Sequence, residues 1–296
     1  MMQEGDFPRL VQGRMITLED LYKVRRLITD NPQASRHNLA ALLCHLWEWY
    51  SPAGKIKLKS ARELLDKLHN AGLIALPPLR QNSKVEKVKQ QTLFLEPPPT
   101  RKRTLQELLP LSFEVVTAKN KSALWNELIE RYHYLASSRL FGARMRYLVY
   151  SGDEIIAALG FSAAAWQIEP RDRFIGWDQN IRRSNLQLIV NNSRFLILPW
   201  IKCQNLVSTL LSQVIKRLPD DWERTYGYRP VLLETFVDGE KFGGTSYIAS
   251  NWIYVGFTKG KGRQGKGKKR IVSEKDVFLY PLQKDFRERL VKEPEE

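Results

Sequence analysis

The sequence predicts an α/β (α+β) protein: a mixed sheet with flanking helices, preceded by a small helical domain. Three observations carry that reading. From Leu108 onward, short apolar runs of strand length alternate with amphipathic helical stretches. Between Thr17 and Pro78, apolar residues instead recur at helical spacing, three times over. A basic, proline-rich stretch over 80–107 separates the two patterns. A chain of 296 residues that is 43% hydrophobic buries one large core and a small accessory one, so the domains expected are 1–79 and 108–296.

In the first domain, Thr17 followed by Glu19 and Asp20 opens a helix whose Leu18, Leu21, Val24, Leu27 and Ile28 share a face. Ser35 is placed to cap a second helix with Leu39, Leu42, Leu43, Leu46 and Trp47 as its apolar stripe, ended by the Trp49 to Gly54 turn. The third helix turns Ala61, Leu64, Leu65 and Leu68 inward and carries Lys55, Lys57, Lys59, Arg62 and Lys67 around them; it stops at Asn70-Ala71-Gly72 and runs into an extended Leu73 to Leu76. This order resembles a winged helix-turn-helix, in which the third helix enters the DNA major groove. On that reading Lys59 and Arg62 reach base edges or phosphates; on the other, the domain is a three-helix protein-interaction bundle and the lysines are a solvated face.

The connection that follows has Pro77-Pro78, Pro97 to Pro99 and the run Arg101, Lys102, Arg103, with only Thr92 to Leu95 to bury. It is expected to be exposed, semi-rigid and suited to a phosphate backbone. In the larger domain, Phe113 to Val116 reads as a strand and Ser122 to Tyr134 as a helix. Met145 to Tyr150 and Ile155 to Phe161 form a hairpin through Ser151-Gly-Asp-Glu154. Ser193 to Pro199 is a strand, Asn205 to Leu218 a helix, and Pro230 to Val237 and Trp252 to Phe257 two more strands. The succession resembles the acetyltransferase (GNAT-like) fold. That family binds acyl-CoA pyrophosphate on a Q/R-x-x-G-x-G/A loop of bare backbone N–H groups, and the corresponding Ile201 to Ser208 has no glycine, so an acyltransferase is the remote alternative.

A closer resemblance spans nearly the whole larger domain. Arg171 to Trp177, Arg182-x-x-Asn-Leu186, Asn191 to Trp200, Asp221-Trp222, Glu234-Thr-Phe-Val-Asp238 and Gly244-Thr-x-Tyr-x-Ala-x-Asn-Trp252 resemble the Druantia anti-phage protein A (DruA) family. The resemblance implies association with anti-phage defence islands and, in related chains, with transposases. It implies partner proteins of a defence system or a mobile element, and no established reaction.

Charge points the same way. With 47 Lys and Arg against 32 Asp and Glu, a net +15, the chain is drawn to polyanions through counterion release, and DNA, single- or double-stranded, is the partner expected. Lys259 to Arg270 holds seven Lys or Arg and four Gly in twelve positions, a composition that packs no core and suits a loop on a polyanion: Lys259, Lys261, Arg263, Lys266, Lys268, Lys269 and Arg270 are its candidate contacts. Arg171, Arg173, Arg182 and Arg183 are further candidates, and an exposed tryptophan beside Arg171, Arg173 or Arg182 would be a stacking platform. Two distant cysteines, Cys44 and Cys203, make neither a disulfide framework nor a cysteine zinc site. No apolar run approaches the roughly 18 residues of a membrane span, and no basic, apolar leader opens the sequence. The location expected is the reducing cytoplasm, with a homo-oligomer left open.

Nucleic-acid cleavage commonly uses paired carboxylates to hold Mg²⁺ against a phosphate. Glu234 and Asp238 are the best such pair, with Asp172 and Asp178 next, and Mg²⁺ is the cofactor if the protein is a nuclease or strand transferase. Alternation puts Glu234 and Asp238 on one strand face about 13 Å apart, too far to share one ion unless the strand bends. The bland reading makes Glu234 a buried partner of Arg194 and Asp238 a turn or cap. His133, in Arg131-Tyr-His-Tyr134, is a proton carrier, a ring stacked on a base, or a structural histidine. Cys203 reads as packing. Patterns of zinc deaminases, P-loop ATPases and G-x-S-x-G hydrolases do not occur.

Overall fold

A computed structural model of the chain describes residues 7–11, 14–50, 54–78, 97–259 and 273–293. They fall into two compact units, Met1–Gln90 and Gln91–Glu296.

The first unit opens with a ribbon of β1 (Arg9–Val11) and β2 (Arg14–Ile16), followed by α1 (Leu18–Asp30), α2 (Arg36–Leu46) and α3 (Leu58–Asn70). Each of the first two helices starts where a hydroxyl satisfies an orphan N–H. Thr17 Oγ1 accepts from the Asp20 N–H at 3.2 Å while the Asp20 carboxylate accepts from the Thr17 N–H at 3.0 Å, and Ser35 Oγ accepts from the Asn38 N–H at 3.2 Å. Such caps contribute about 1 kcal/mol each. Leu21, Val24, Leu39, Leu43, Leu64, Leu65 and Leu68 close one core. Gly72, at φ +75, ends α3 in the left-handed region that glycine adopts without penalty. The tail beyond it is tied down by Arg25 Nε donating to Leu73 O at 2.9 Å and Arg36 Nε donating to Pro77 O at 2.7 Å. The three predicted helices are present. The tail forms no strand among the described residues, and the residues that would complete a wing lie outside them.

The second unit contains β3 (Arg101–Lys102), α4 (Leu105–Leu108), β4 (Leu111–Val115), α5 (Lys119–Tyr132), β5 (Arg144–Ser151), β6 (Glu154–Ala163), α6 (Glu169–Ile175), α7 (Gln179–Asn185), β7 (Ile189–Ile197), β8 (Ile201–Lys202), α8 (Leu206–Tyr226), β9 (Leu232–Asp238), α9 (Thr245–Ile248), β10 (Ile253–Phe257), β11 (Lys275–Pro281) and α10 (Phe286–Val291). Seven strands form one sheet in the order β10-β11-β9-β7-β6-β5-β4. All neighbours are antiparallel except β7 and β9, which run parallel and are joined through α8. That is the mixed α/β, GNAT-like succession expected from the sequence. β3 pairs parallel with β8, so Arg101 and Lys102, expected in the linker, are a strand of this unit.

Period-2 alternation feeds two cores. Leu233 and Phe278 point into the cluster with Trp125, Leu128, Leu210 and Trp222 of α5 and α8. Their neighbours Leu232, Val277 and Leu279 point into the cluster with Ile175, Phe286 and Leu290 of α6 and α10. Helices therefore cover both sheet faces. Within the described residues no helix is long and apolar enough to cross a membrane.

Candidate functional site

On α3, the apolar spacing that buries Ala61, Leu64, Leu65 and Leu68 turns the rest of the helix outward. Lys55, Lys57, Lys59, Arg62 and Lys67 are all exposed, Lys59 at 84% of its side chain while paired with Glu63 at 3.8 Å. Lys55 and Lys57 precede the helix, and on it Lys59, Arg62 and Lys67 share the exposed side with Glu63 and Asp66.

The predicted carboxylate pair is built differently. Glu234, on β9 opposite Asn191 of β7, has no exposed surface. Its Oε1 accepts from the Ala165 N–H at 2.8 Å and the Asn191 amide at 3.1 Å, and its Oε2 from Arg171 Nη1 at 2.8 Å. Arg171, equally buried, also donates from Nε and Nη2 to Asp172 Oδ1 at 2.9 and 2.7 Å and from Nη1 to Ala165 O at 2.8 Å. Asp172 accepts from Trp177 Nε1 at 3.1 Å and from Arg182 Nη1 at 3.1 Å. Burial alone would depress the Arg171 guanidinium, but Glu234 and Asp172 outweigh it and hold the group above its ordinary value.

Three sequence expectations are corrected here. Glu234 pairs with Arg171 and not with Arg194, whose guanidinium donates to the carbonyls of Ser137, Ser193 and Arg139. Arg171 and Arg182 are turned inward as counter-ions, because two carboxylates left in the core without cations would be costly; Arg171 has no exposed surface and Arg182 only 7%. Glu234 does not fit a Mg²⁺ ligand, since its oxygens are already engaged by Arg171, Asn191 and Ala165. Asp238 lies at the far end of β9, buried, with Oδ2 3.7 Å from Lys241 Nζ and 3.5 Å from Ser273 Oγ; its Oδ1 is buried without a hydrogen-bond partner among the described residues. Among those residues no group of three or more His, Cys, Asp or Glu is placed to hold a metal ion.

A cavity of about 600 Å³ opens where β7 and β9 part. Their pairing lasts from Ile189↔Leu232 to Asn191↔Glu234, and the next residues, Asn192 and Thr235, already line the opening. Between Gly160↔Arg194 and Phe161↔Asn192 the register against β6 shifts, leaving Ser193 as the extra residue of a bulge, a device that re-aims a strand beside a site. Tyr247 donates its hydroxyl proton to Asn192 Oδ1 at 3.0 Å, and Thr235 Oγ1 donates to Asn192 O at 3.1 Å. The Tyr247 hydroxyl is pushed up to about 12, chiefly by burial.

His133, the residue after α5, sits in this wall. Burial lowers it to about 4, with Arg194 and Lys275 adding repulsion, so it is neutral at pH 7. Its Nδ1 accepts from the Leu135 N–H at 3.2 Å, which leaves the proton on Nε2. Its ring centroid is 4.7 Å from that of Tyr134, and Tyr134 meets Phe242 edge-on at 5.1 Å. Sequence reasoning singled out His133, with Tyr134 beside it, but missed Asn192, Thr235, Lys241, Phe242 and Tyr247; one signal was the Gly243-Gly244 turn, where a Cβ on Gly244 would meet Phe278 Cζ at 2.7 Å.

The remaining candidates are spread over the surface. Arg101 and Lys102 are exposed, while Arg103 is tied to Glu154 at 2.7 Å. Arg173 pairs with Glu169 at 2.9 Å, Lys259 pairs with the same carboxylate, and Arg183 is exposed. Lys261, Arg263, Lys266, Lys268, Lys269 and Arg270 lie outside the described residues. Trp166 is 56% exposed with the Arg182 guanidinium 5.9 Å from its ring, the arrangement set out above as a stacking platform. Cys203 is half-buried, and burial raises its thiol.

The sequence model of the Druantia protein DruA family matches residues 67–267, more than half of the chain. The chain belongs to the DruA family. Membership in that family brings a role in anti-phage defence. The matched span takes in Glu234, Arg171 and the cavity walls, and it begins within α3. No curated protein matches the chain significantly. Among solved structures, this DruA-family chain is similar to an N-acetyltransferase from Staphylococcus aureus Mu50, at 12% identity and TM-score 0.36 over 58% of this chain and 97% of that one. It is also similar to an acetyltransferase from Bacillus subtilis in complex with CoA, at 8% identity and TM-score 0.37 over 58% and 99%. A third is a mutant form of the spermidine/spermine N-acetyltransferase SpeG from Vibrio cholerae, at 8% identity and TM-score 0.38 over 60% and 98%.

Proposed function

We propose that this DruA-family protein is a DNA-engaging component of an anti-phage system, binding the phosphate backbone through the cationic face of α3. The observation that carries the reading is the exposed row Lys55, Lys57, Lys59, Arg62 and Lys67 over a fully buried apolar face. The net +15 of the chain supports it, because lysine and arginine neutralising phosphates release counterions. On this reading the protein works in the cytoplasm beside other proteins of the Druantia system. Neither enzyme alternative gains support: Glu234 is held by Arg171, and Ile201 to Ser208 offers no glycine cradle for a pyrophosphate.

The test is binding of labelled duplex and single-stranded DNA by the full chain at two salt concentrations, with and without Mg²⁺. Salt-sensitive binding is expected, with the salt slope reduced by about one for each cation lost in Lys59→Glu, Arg62→Glu and Lys67→Glu. No salt-dependent affinity for any DNA would overturn the reading, and metal-dependent cleavage would replace it with a nuclease.

A further inference from the structure

We infer that the cavity between β7 and β9 binds one unpaired nucleotide, stacking its base on the exposed aromatic rings at its mouth, with its phosphate at the rim beside Lys241. The inference rests on the reading that the protein engages nucleic acid, but it concerns a different surface from α3. Three properties of the cavity select this chemistry. Its volume, about 600 Å³, lies within the roughly 300–1,000 Å³ of small-molecule sites. Its mouth is aromatic: Tyr134 is 37% and Phe242 47% exposed, in edge contact with one another, and exposed rings of this kind stack on the face of any base.

Its polar groups are sparse and of the type that reads a base edge. Asn192 has its Oδ1 fixed by Tyr247, while its Nδ2 makes only a long 3.5 Å approach to Arg194 O, which leaves donor capacity for a base acceptor. His133 adds an Nε2–H. The rim carries Lys241, whose Nζ stands 5.2 Å from the centre of the Tyr134 ring and 3.7 Å from Asp238 Oδ2, and Arg194 and Lys275 add positive charge near His133 behind it. A purely apolar ligand would leave the Asn192 amide without an acceptor, and a neutral sugar would leave the rings without a flat partner.

Two sources present the same chemistry, an unpaired nucleotide within a DNA strand and a free nucleoside monophosphate. Binding by the full chain would therefore be measured with a short single-stranded oligonucleotide, with free dAMP and dTMP, and, in parallel, with a blunt duplex that reports on α3. The variants are Tyr134→Ala and Phe242→Ala, which remove half-exposed rings, and Thr245→Trp, which fills the mouth from an exposed position. Each is expected to weaken the strand or the free nucleotide by about tenfold or more, with the thermal midpoint unchanged.

Binding of the strand alone identifies an unpaired nucleotide as the occupant; binding of dAMP or dTMP of similar strength identifies a diffusible nucleotide. The inference is overturned if strand and nucleotides bind all three variants as tightly as the parent, or if the parent binds neither. The duplex arm separates that failure from failure of the α3 reading.

Discussion

Glu234→Gln tests whether this carboxylate holds the fold or performs chemistry. The substitution keeps the shape and an oxygen that accepts from the Ala165 N–H, but it removes the charge facing Arg171 at 2.8 Å, where both side chains are 0% exposed. Removing one partner of a buried pair costs about 3–5 kcal/mol, because the other charge stays buried and uncompensated. Arg171 keeps its two bonds to Asp172, so the low end, about 3 kcal/mol, is expected, or a fall of about 6–12 °C in the unfolding midpoint of a unit this size. Urea unfolding of the full chain followed by tryptophan fluorescence reads this unit well, since six of the eight tryptophans lie beyond residue 91. Arg171→Met strands Glu234, leaves Asp172 with Arg182 as its remaining cation, and should cost more than Glu234→Gln. The double variant should cost less than the two singles together, with a coupling of about 2 kcal/mol. Additive losses, with Glu234→Gln within about 0.5 kcal/mol of the parent, would refute the structural role and return Glu234 to the list of candidate metal ligands.

Acidification should destabilise the protein through His133, which titrates at about 4 when folded and at about 6.5 when unfolded. Its neutral form is favoured by the fold, so its contribution is complete above about pH 6.5 and is lost as pH falls towards about 4; at about pH 5 the loss amounts to about 2 kcal/mol. His133→Gln should flatten urea midpoints measured between about pH 5 and 8, and an unaltered profile would show that other groups carry the dependence. Gly160→Ala should destabilise by about 1–3 kcal/mol, since its Cβ would meet Trp125 Cζ2 at 2.8 Å and Arg194 Cβ at 3.1 Å. Trp125→Phe in the same chain should recover part of that loss, and a wild-type midpoint for Gly160→Ala alone would refute the packing argument.

Elements set by local rules were legible. Thr17 with Asp20, and Ser35, mark helix starts whichever unit they sit in. The hairpin of β5 and β6 is written in two apolar runs around Ser151-Gly-Asp-Glu154, and α8 in its long amphipathic stripe. Elements set by distant partners were not legible. β11 is a short apolar run, Val277 to Tyr280, just beyond the basic tract, and only its pairing with β9 makes it the second strand from the edge. α6 carries Arg171 and Arg173, which look alike in sequence. One is swallowed by a carboxylate 63 positions away and the other pairs at the surface with Glu169. No rule of composition separates the two, because the register of β7 against β9 decides where Glu234 emerges.

The same register explains how a buried ion pair and an open cavity come to share one strand. The parallel ladder ends at Asn191↔Glu234, and at that rung the Asn191 amide, the Ala165 N–H and Arg171 converge on one carboxylate. One residue on, Asn192 and Thr235 face the opening, and their remaining link is a side chain, Thr235 Oγ1 donating to Asn192 O. The bulge at Ser193 turns β7 away from β9 at this point, so the strands separate beneath a rung that is clamped by charge. The Arg171–Glu234 pair acts as the pin of this splay: it holds the last rung closed and lets the strands below diverge. Loss of the pin should loosen Asn192 and Thr235 together. Glu234 therefore fixes the rung from which the cavity walls diverge without lining the cavity itself.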